Sequence, residues 1–148
     1  MTDIRPARPD EADELAALLW RVRADNADSI PAPVHSLDET RRWMREVVVV
    51  ECDVWVGVDD GRVVALLVLR PPDWIEQLYV DAAHAGHGLG TALLEVAERE
   101  LPGGAQLWTF QTNTGARRFY ERHGFVAVEW TDGDNEERAP DVRYVRSP

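Results

Sequence analysis

A glycine-rich segment in the second half of the chain has the residue types of an anion-binding turn. Glycines stand at positions 86, 88 and 90, between an apolar run that ends at Val80 and a helical pattern that begins near Gly88. Glycine lets the backbone approach a ligand closely, and the free amides at the start of a helix attract negative charge. The segment therefore predicts a site for a phosphate or a pyrophosphate, although close packing of a helix on a sheet would need the same glycines.

The spacing of these glycines differs from that of two common nucleotide-binding motifs. No Lys-Ser or Lys-Thr follows Gly90, as an ATP-binding P-loop would require. The third glycine comes two positions after the second, whereas the dinucleotide motif places it three positions after. Neither ATP nor a nicotinamide dinucleotide is favoured as the ligand.

A second segment, from Asn113 to Phe125, completes a pair of motifs that resembles the GCN5-related N-acetyltransferase (GNAT) superfamily. The cofactor motif of that family is Gln or Arg, two residues, Gly, one residue, then Gly or Ala. It aligns with residues 85–90, where Ala85 departs from the pattern. The spacing from Asn113 to Tyr120 and the Glu-Arg-His-Gly-Phe that follows match the second conserved region. The resemblance covers roughly residues 54–145.

The resemblance implies that acetyl-coenzyme A is the co-substrate. The backbone amides of residues 86–91 would surround its pyrophosphate, so that Ala85 removes one side-chain contact and leaves most backbone contacts in place. The strand before the loop would splay from its parallel neighbour and bind the pantetheine arm, and the amide of Val80 would polarise the thioester carbonyl. The implied cofactor-binding residues are Leu78, Tyr79, Val80, Gly86, His87, Gly88, Leu89, Gly90, Thr91 and Asn113.

The resemblance also implies that Tyr120 protonates the departing thiolate. A thiol has a pKa of about 8.5 and a phenol of about 10, so a phenol held beside the sulfur is able to donate its proton as the carbon–sulfur bond breaks. Tyr120 is therefore the candidate general acid. Its alternative role is that of an aromatic residue that anchors the end of a helix to the core beside Phe119 and Phe125.

An acceptor amine must lose a proton before it attacks, because an amine with a pKa of about 10.4 is mostly protonated at neutral pH. Glu76 is the candidate base, since two-residue alternation along a strand would place it on the same face as Leu78 and Val80. A water chain could take the same proton, in which case Glu76 would be an exposed residue at a strand edge.

The predicted function is an N-acetyltransferase that moves an acetyl group from acetyl-coenzyme A to a primary amine by direct attack in a ternary complex. The amine would belong to a small molecule or to a peptide. By resemblance, the first two helices, with Trp20 and Trp43, and the acidic loop 131–137 would border the acceptor, although that loop would serve equally as a hydrophilic turn. The alternative is a non-catalytic sensor or regulatory module that binds acyl-coenzyme A, which the departure at Ala85 favours. A homodimer is a further expectation from the family.

Composition narrows the classes of partner. With 16 Lys and Arg against 27 Asp and Glu, the chain has a formal net charge of -11, which repels phosphate backbones and anionic membrane surfaces. We therefore expect neither nucleic acid nor a membrane as partner. The sequence contains neither a run of about 18 apolar residues nor a secretion signal, which predicts a cytoplasmic protein.

Cysteine and histidine give no sign of a metal centre. Cys52 is the single cysteine and is predicted to be structural, because Glu51 and Asp53 disfavour its thiolate. His84 and His87 have a spacing that would suit a metal pair, but no matching set of Cys, Asp or Glu accompanies them. We expect no metal cofactor.

The elements that must position these groups follow from hydrophobic periodicity. Asp10 is predicted to cap the first helix, and Ser36 with Glu39 to form the capping box of the second. Strands are predicted near Ile4 and at 54–58, 62–69, 74–80, 105–110, 125–130 and 142–145, and helices at 10–24, 36–46, 88–101 and 114–123.

The resulting order, βααβββαβαββ, predicts an α/β (α+β) fold in which a mixed, twisted central sheet of six to seven strands has helices on both faces. Asp59-Asp60-Gly61 between two apolar runs predicts an antiparallel hairpin. The crossover from strand 74–80 through a helix to strand 105–110 requires parallel strands. No repeat or linker divides the 148 residues, so we expect a single GNAT domain over residues 1–148.

Overall fold

The computed structural model describes residues 2–148, which form one seven-stranded sheet with helices on both faces. The strands are β1 Thr2–Pro6, β2 Asp53–Asp59, β3 Arg62–Arg70, β4 Trp74–Val80, β5 Ala105–Phe110, β6 Val126–Trp130 and β7 Asp141–Arg146. The helices are α1 Ala12–Asp25, α2 Leu37–Trp43, α3 Val49–Glu51, α4 Leu89–Glu100 and α5 Thr114–Arg122. A π-helix, Met44–Val48, joins α2 to α3.

The strands lie in the order β1-β2-β3-β4-β5-β7-β6. Every neighbouring pair is antiparallel except β4 and β5, which are parallel and are joined through α4. The predicted mixed sheet, its hairpin at Asp59-Asp60-Gly61 and its parallel crossover are all confirmed. Asp60 and Gly61 both have positive φ, as the tight reversal between β2 and β3 requires.

Two apolar clusters hold the helices on opposite faces of the sheet. On one face, α1 and the π-helix pack against alternate residues of β2 and β3, among them Val56, Leu66 and Val68. On the other face, α4 and α5 cover Leu67 and Leu69 of β3 together with residues of β5 and β7. Strand β3 is buried almost throughout because it contributes side chains to both clusters.

The first two helices differ from the prediction at their ends. Asp10 does not cap α1: it lies within a 3₁₀ turn, Pro9–Glu11, and the residue at the N-cap position is Glu11. The capping box of α2 is present as predicted, with the amide of Glu39 donating to Ser36 Oγ at 3.1 Å and the amide of Ser36 donating to Glu39 Oε1 at 3.0 Å. The helical segment predicted to end near residue 46 continues through the π-helix to Glu51, since Met44 and Val48 are buried against α1.

Glu11 ties the start of α1 to strand β1. Its carboxylate accepts two hydrogen bonds from Arg5, at 2.9 and 2.8 Å, and a third from the amide of Arg8 at 2.7 Å. The side chain of Glu11 is only 7% exposed. The hydrogen bonds from Arg5, opposed by burial and assisted by the amide of Arg8, lower the pKa of Glu11 to about 2.

Replacement of Glu11 by Gln should destabilise the protein at neutral pH and matter less in acid. The folded-state pKa lies below the ordinary value of 4.5, so the carboxylate stabilises the fold above pH 4.5 and loses this effect as the pH falls towards 2. We expect Glu11→Gln to lower the free energy of unfolding at pH 7 by roughly 2 kcal/mol, measured by urea denaturation. Asp10→Asn, at an exposed neighbour, should change it by less than about 0.5 kcal/mol. A Glu11→Gln deficit that is the same at pH 3 and pH 7 would contradict this assignment.

Candidate active site

The parallel strands β4 and β5 separate almost as soon as they meet. They share the single register pair Trp74↔Gln106, next to a hydrogen bond of 2.8 Å from the amide of Gln106 to the carbonyl of Asp73. Beyond this point the two strands diverge, and the gap forms a cleft of about 470 Å³ lined by residues 75–79 of β4 and 107–110 of β5. We call it the strand-gap cleft. The edge of β4 that faces it has no neighbouring strand beyond Trp74, so its backbone groups are available to a ligand.

A β-bulge in β4 interrupts the two-residue alternation on which the predicted face of Glu76 depends. Val68 of β3 pairs with Gln77, but the next residue, Leu69, pairs with Ile75, so Glu76 is the additional residue. Ile75 packs in the same cluster as Leu78 and Val80, so two-residue alternation does not hold along β4 and does not fix the face on which Glu76 lies.

Glu76 nevertheless borders the strand-gap cleft. Its carboxylate is in an ion pair with the guanidinium of Arg70, with Arg70 Nε and Glu76 Oε1 2.9 Å apart. Both side chains are more than a third exposed, so water reaches the pair. The carboxylate is therefore held near one wall of the cleft by a contact that solvent weakens.

Tyr120 reaches the strand-gap cleft from α5, and its side chain is 8% exposed. Its ring meets those of Phe119 and Phe125 edge to face, with centroids 5.3 and 5.5 Å apart. Burial raises the pKa of Tyr120 above its ordinary value, and the nearby phenol of Tyr79 adds to the effect. The phenol is thus protonated at neutral pH, and it also has the core-anchoring contacts that the alternative role required.

Asn113 borders the same cleft and caps α5. Its Oδ1 accepts a hydrogen bond from the amide of Ala116 at 3.2 Å. The Nδ2 group has no hydrogen-bond partner among residues 2–148, which leaves two donors for a ligand in the cleft. One short side chain therefore starts the helix that carries Tyr120 and presents polar hydrogens beside it.

The glycines of the predicted pyrophosphate loop serve two different purposes. Gly86 and Gly88 have φ of 78° and 81°, and a Cβ added at either would meet no atom within 4 Å. Their conformation and the open space around them fit a backbone that a ligand approaches. A Cβ on Gly90 would lie 3.1 Å from Cζ of Phe119, so glycine at this position allows α4 to pack closely against α5.

The loop lies apart from the strand-gap cleft. His87, Gly88 and Leu89 line a cleft of about 500 Å³ of their own, while Gly86, Gly90, Thr91 and Val80 border neither cavity. The structure thus brings Glu76, Leu78, Tyr79, Asn113 and Tyr120 into one cleft, and the glycine loop stands beyond the far end of β4. Ligands that span both must be long and flexible.

His123 fixes the hydroxyl of Thr91 at the start of α4. The Nδ1 atom of His123 donates to the carbonyl of Phe119 at 2.8 Å, so in the neutral ring Nε2 is an acceptor. Thr91 Oγ1 lies 3.1 Å from that Nε2 and donates to it. This contact, which the sequence did not predict, joins the first turn of α4 to the last turn of α5.

The sequence profile described as the acetyltransferase (GNAT) family matches residues 12–125. This chain belongs to the GNAT family. The resemblance drawn from the glycine motif and from the segment 113–125 is therefore confirmed. By the resemblance, the cosubstrate is expected to bind in the gap between the two parallel strands. The strand-gap cleft of this GNAT chain is lined by five of the residues that the sequence predicted as catalytic or cofactor-binding: Glu76, Leu78, Tyr79, Asn113 and Tyr120.

A relative and two solved structures agree with this assignment. The peptidyl-lysine N-acetyltransferase YjaB of Salmonella typhimurium is 29% identical over 138 residues, which cover 91% of this chain and 90% of the relative. Apo-form YjaB from Escherichia coli has a TM-score of 0.77 at 23% identity and covers 98% and 97% of the two chains. An acetyltransferase from Thermus thermophilus also has a TM-score of 0.77, at 21% identity, over 100% of this chain and 97% of the other. At these identities the two structures show that the fold is shared.

A second cleft adjoins the strand-gap cleft on the α1 and α2 side of this GNAT chain. We call it the helix-side cleft; its volume is about 600 Å³, and Trp43 and Glu46 are among the residues that line it, whereas Trp20 is not. Arg23, Gln77 and Glu137 line both clefts and so form their junction. The sequence prediction included Glu137 in the acidic loop but missed Arg23, which is one of two arginines on α1 with no pattern to single it out.

His84, one of the two histidines whose spacing would suit a metal pair, has a carboxylate partner. His84 contacts Asp59 through Nε2 at 2.9 Å, and residues 2–148 contain no group of three or more His, Cys, Asp or Glu placed to hold a metal ion. Burial, rather than the flanking acids that the sequence suggested, is the largest cause that raises the pKa of Cys52. None of the helices formed by residues 2–148 is both long and apolar enough to span a lipid bilayer.

Proposed function

We propose that this GNAT chain is an N-acetyltransferase that transfers an acetyl group from acetyl-coenzyme A to a primary amine by direct attack in a ternary complex. The observation that carries the proposal is the gap between β4 and β5, with a buried, protonated Tyr120 on one side and an unpaired strand edge on the other. Membership of the family supports the choice of cosubstrate.

The residues fit an elongated, anionic cosubstrate. The amides of Gly86, His87, Gly88, Leu89, Gly90 and Thr91 would hold the pyrophosphate at the positive end of α4, and the positive φ and open space at Gly86 and Gly88 support this role. The free edge of β4 at Leu78, Tyr79 and Val80, with the Nδ2 group of Asn113, would hold the pantetheine arm. Ala85 contributes no polar side chain, so the backbone supplies most of the contacts.

Tyr120 and Glu76 divide the proton transfers between them. Tyr120 donates a proton to the sulfur as the carbon–sulfur bond breaks and the bond from the amine nitrogen to the carbonyl carbon forms. Glu76, directly or through water, takes a proton from the attacking amine. Overall, an ammonium and a thioester give an amide, a thiol and one proton released to solvent. Burial raises the pKa of a thiol as well as that of a phenol. The pKa of Tyr120, which donates the proton, and the pKa of the sulfur that accepts it are therefore shifted in the same direction.

We propose that the acceptor amine is a lysine side chain of a peptide. The named activity of the Salmonella relative supports a peptidyl-lysine, and the helix-side cleft opens to solvent beside the exposed Trp43, where a peptide would have access. A small amine would use the same junction.

We also propose a cytoplasmic location and a single domain over residues 1–148, without nucleic acid or membrane as partner. A homodimer stays a prediction.

Gly88→Ala should weaken acetyl-coenzyme A binding at least tenfold, measured by calorimetric titration. Alanine at a φ of 81° is strained by about 1–2 kcal/mol, so the loop would shift away from the conformation that offers its amides to the ligand. Gly61→Ala is the matched control, because Gly61 has a φ of 75°, equally open surroundings and no place in the site. An equal loss of affinity in both variants would mean that the strain acts through general stability and not through the loop.

Tyr120→Phe should lower kcat by about 100-fold or more and leave the affinity for acetyl-coenzyme A within about threefold. The variant keeps the aromatic contacts with Phe119 and Phe125 and removes only the proton donor. A free-thiol assay against lysine peptides and small amines gives kcat, and calorimetry gives the affinity. If both variant and wild type bind acetyl-coenzyme A but neither releases thiol with any acceptor, the sensor function is favoured instead.

Glu76→Gln should lower kcat at least tenfold at pH 7, since glutamine cannot take up a proton from the attacking amine. Arg70→Gln is the control: it removes the ion-pair partner of Glu76, keeps the carboxylate and should leave kcat within about threefold of wild type. Wild-type kcat in Glu76→Gln would show that the proton leaves by another route, such as a water chain.

A further inference from the structure

A weakly held ion pair stands at the junction of the two clefts. Arg23 lies in the last turn of α1, and Glu137 lies in the loop between β6 and β7. Arg23 Nη1 and Glu137 Oε1 are 3.5 Å apart. The two side chains are 14% and 15% exposed. At this distance the pair is at the limit of a hydrogen bond, so neither charge has an optimal partner although both are largely withdrawn from water.

Glu137 is set apart from the other carboxylates by its position. Some carboxylates line only the strand-gap cleft (Glu76, Asp134 and Asp141), and others line only the helix-side cleft (Glu39, Glu46 and Glu136). Glu137 lines both, and an acceptor that passes from the helix-side cleft to Tyr120 must go by it. Its second oxygen, Oε2, has no hydrogen-bond partner among residues 2–148.

An amine acceptor reaches the junction as a cation and must shed water there. Burial of an unpaired ammonium costs several kcal/mol, so a carboxylate is needed where the two clefts meet. Arg23 is also held by Tyr79, since its Nε donates to the Tyr79 hydroxyl at 3.4 Å. Arg23 therefore retains a contact with β4 when Glu137 turns to another cation.

We propose that Glu137 is a specificity-determining residue that receives the ammonium group of the acceptor, in competition with Arg23, before the amine meets the thioester. The inference rests on the proposed function and names a residue for the acceptor side of the same site. Arg23 then lowers the affinity for the acceptor by occupying Glu137 in the free protein. The two partners of the pair thus act in opposite directions on acceptor binding.

The test measures peptide affinity by calorimetry in the presence of saturating coenzyme A without an acyl group, so that no turnover is needed. The probes are a blocked Ala-Gly-Lys-Gly-Ala peptide and the same peptide with its lysine Nζ acetylated, which removes the charge and keeps the chain. The variants are Glu137→Gln and Arg23→Gln, with Asp132→Asn as the control, since Asp132 is an exposed residue of the same loop that lines neither cleft. Thermal unfolding of each variant verifies that it is folded.

The expected result is a change of opposite sign in the two variants of the pair. Glu137→Gln should bind the lysine peptide about tenfold more weakly and the acetylated peptide with unchanged affinity, so its preference for the charged form is lost. Arg23→Gln should bind the lysine peptide about threefold more tightly than wild type, because Glu137 is then free of its competitor. Asp132→Asn should change either affinity by less than about threefold.

The inference is overturned if Glu137→Gln and Arg23→Gln weaken both peptides to the same extent, because Glu137 would then serve only to hold the loop through Arg23. An unchanged affinity of Glu137→Gln for the lysine peptide overturns it as well. Failure of coenzyme A to bind is a separate outcome that contradicts the proposed function. The peptide affinities measured without coenzyme A then still decide the role of Glu137.

Discussion

The early separation of β4 from β5 is the constraint on which the rest of the site depends. Parallel strands joined by a helix ordinarily continue their ladder, but here the ladder stops at Trp74↔Gln106. The backbone beyond that pair is left with polar groups that need partners. Each proposed role on β4 follows from this opening, because a continued ladder would occupy the strand edge and close the cleft that Tyr120 and Asn113 border.

The two faces of the sheet keep the opening in place. The cluster beneath α4 and α5 fixes the helix that carries Tyr120, and the cluster beneath α1 fixes the helix that carries Arg23. The bulge at Glu76 lets Ile75 and Leu78 pack in the same cluster while the strand changes direction. The geometry of the cleft is thus set by packing on both sides, and the polar groups are presented by elements that the core already holds.

Two partly buried ion pairs of the protein differ in their geometry and in their position. Glu11 accepts two short hydrogen bonds from Arg5 and a third from the amide of Arg8, and it acts as a fixed link between β1 and α1. The pair of Arg23 and Glu137 is similarly withdrawn from water but is longer, and it lies where two cavities meet. The same two residue types therefore give a close structural tie in one place and a longer contact in the other, which we propose is exchangeable.

The sequence by itself determined the order of elements and the family and supplied the candidate chemical groups, because periodicity, turn residues and motif spacing are local properties. It placed Gly86, Gly88 and Tyr120 on the correct loop and helix. It could not place Glu76 on a face, since the bulge depends on how β3 pairs with β4, nor show that Gly90 packs on Phe119. The junction of Arg23 with Glu137 joins residues 114 positions apart, and only the packed sheet and helices bring them together.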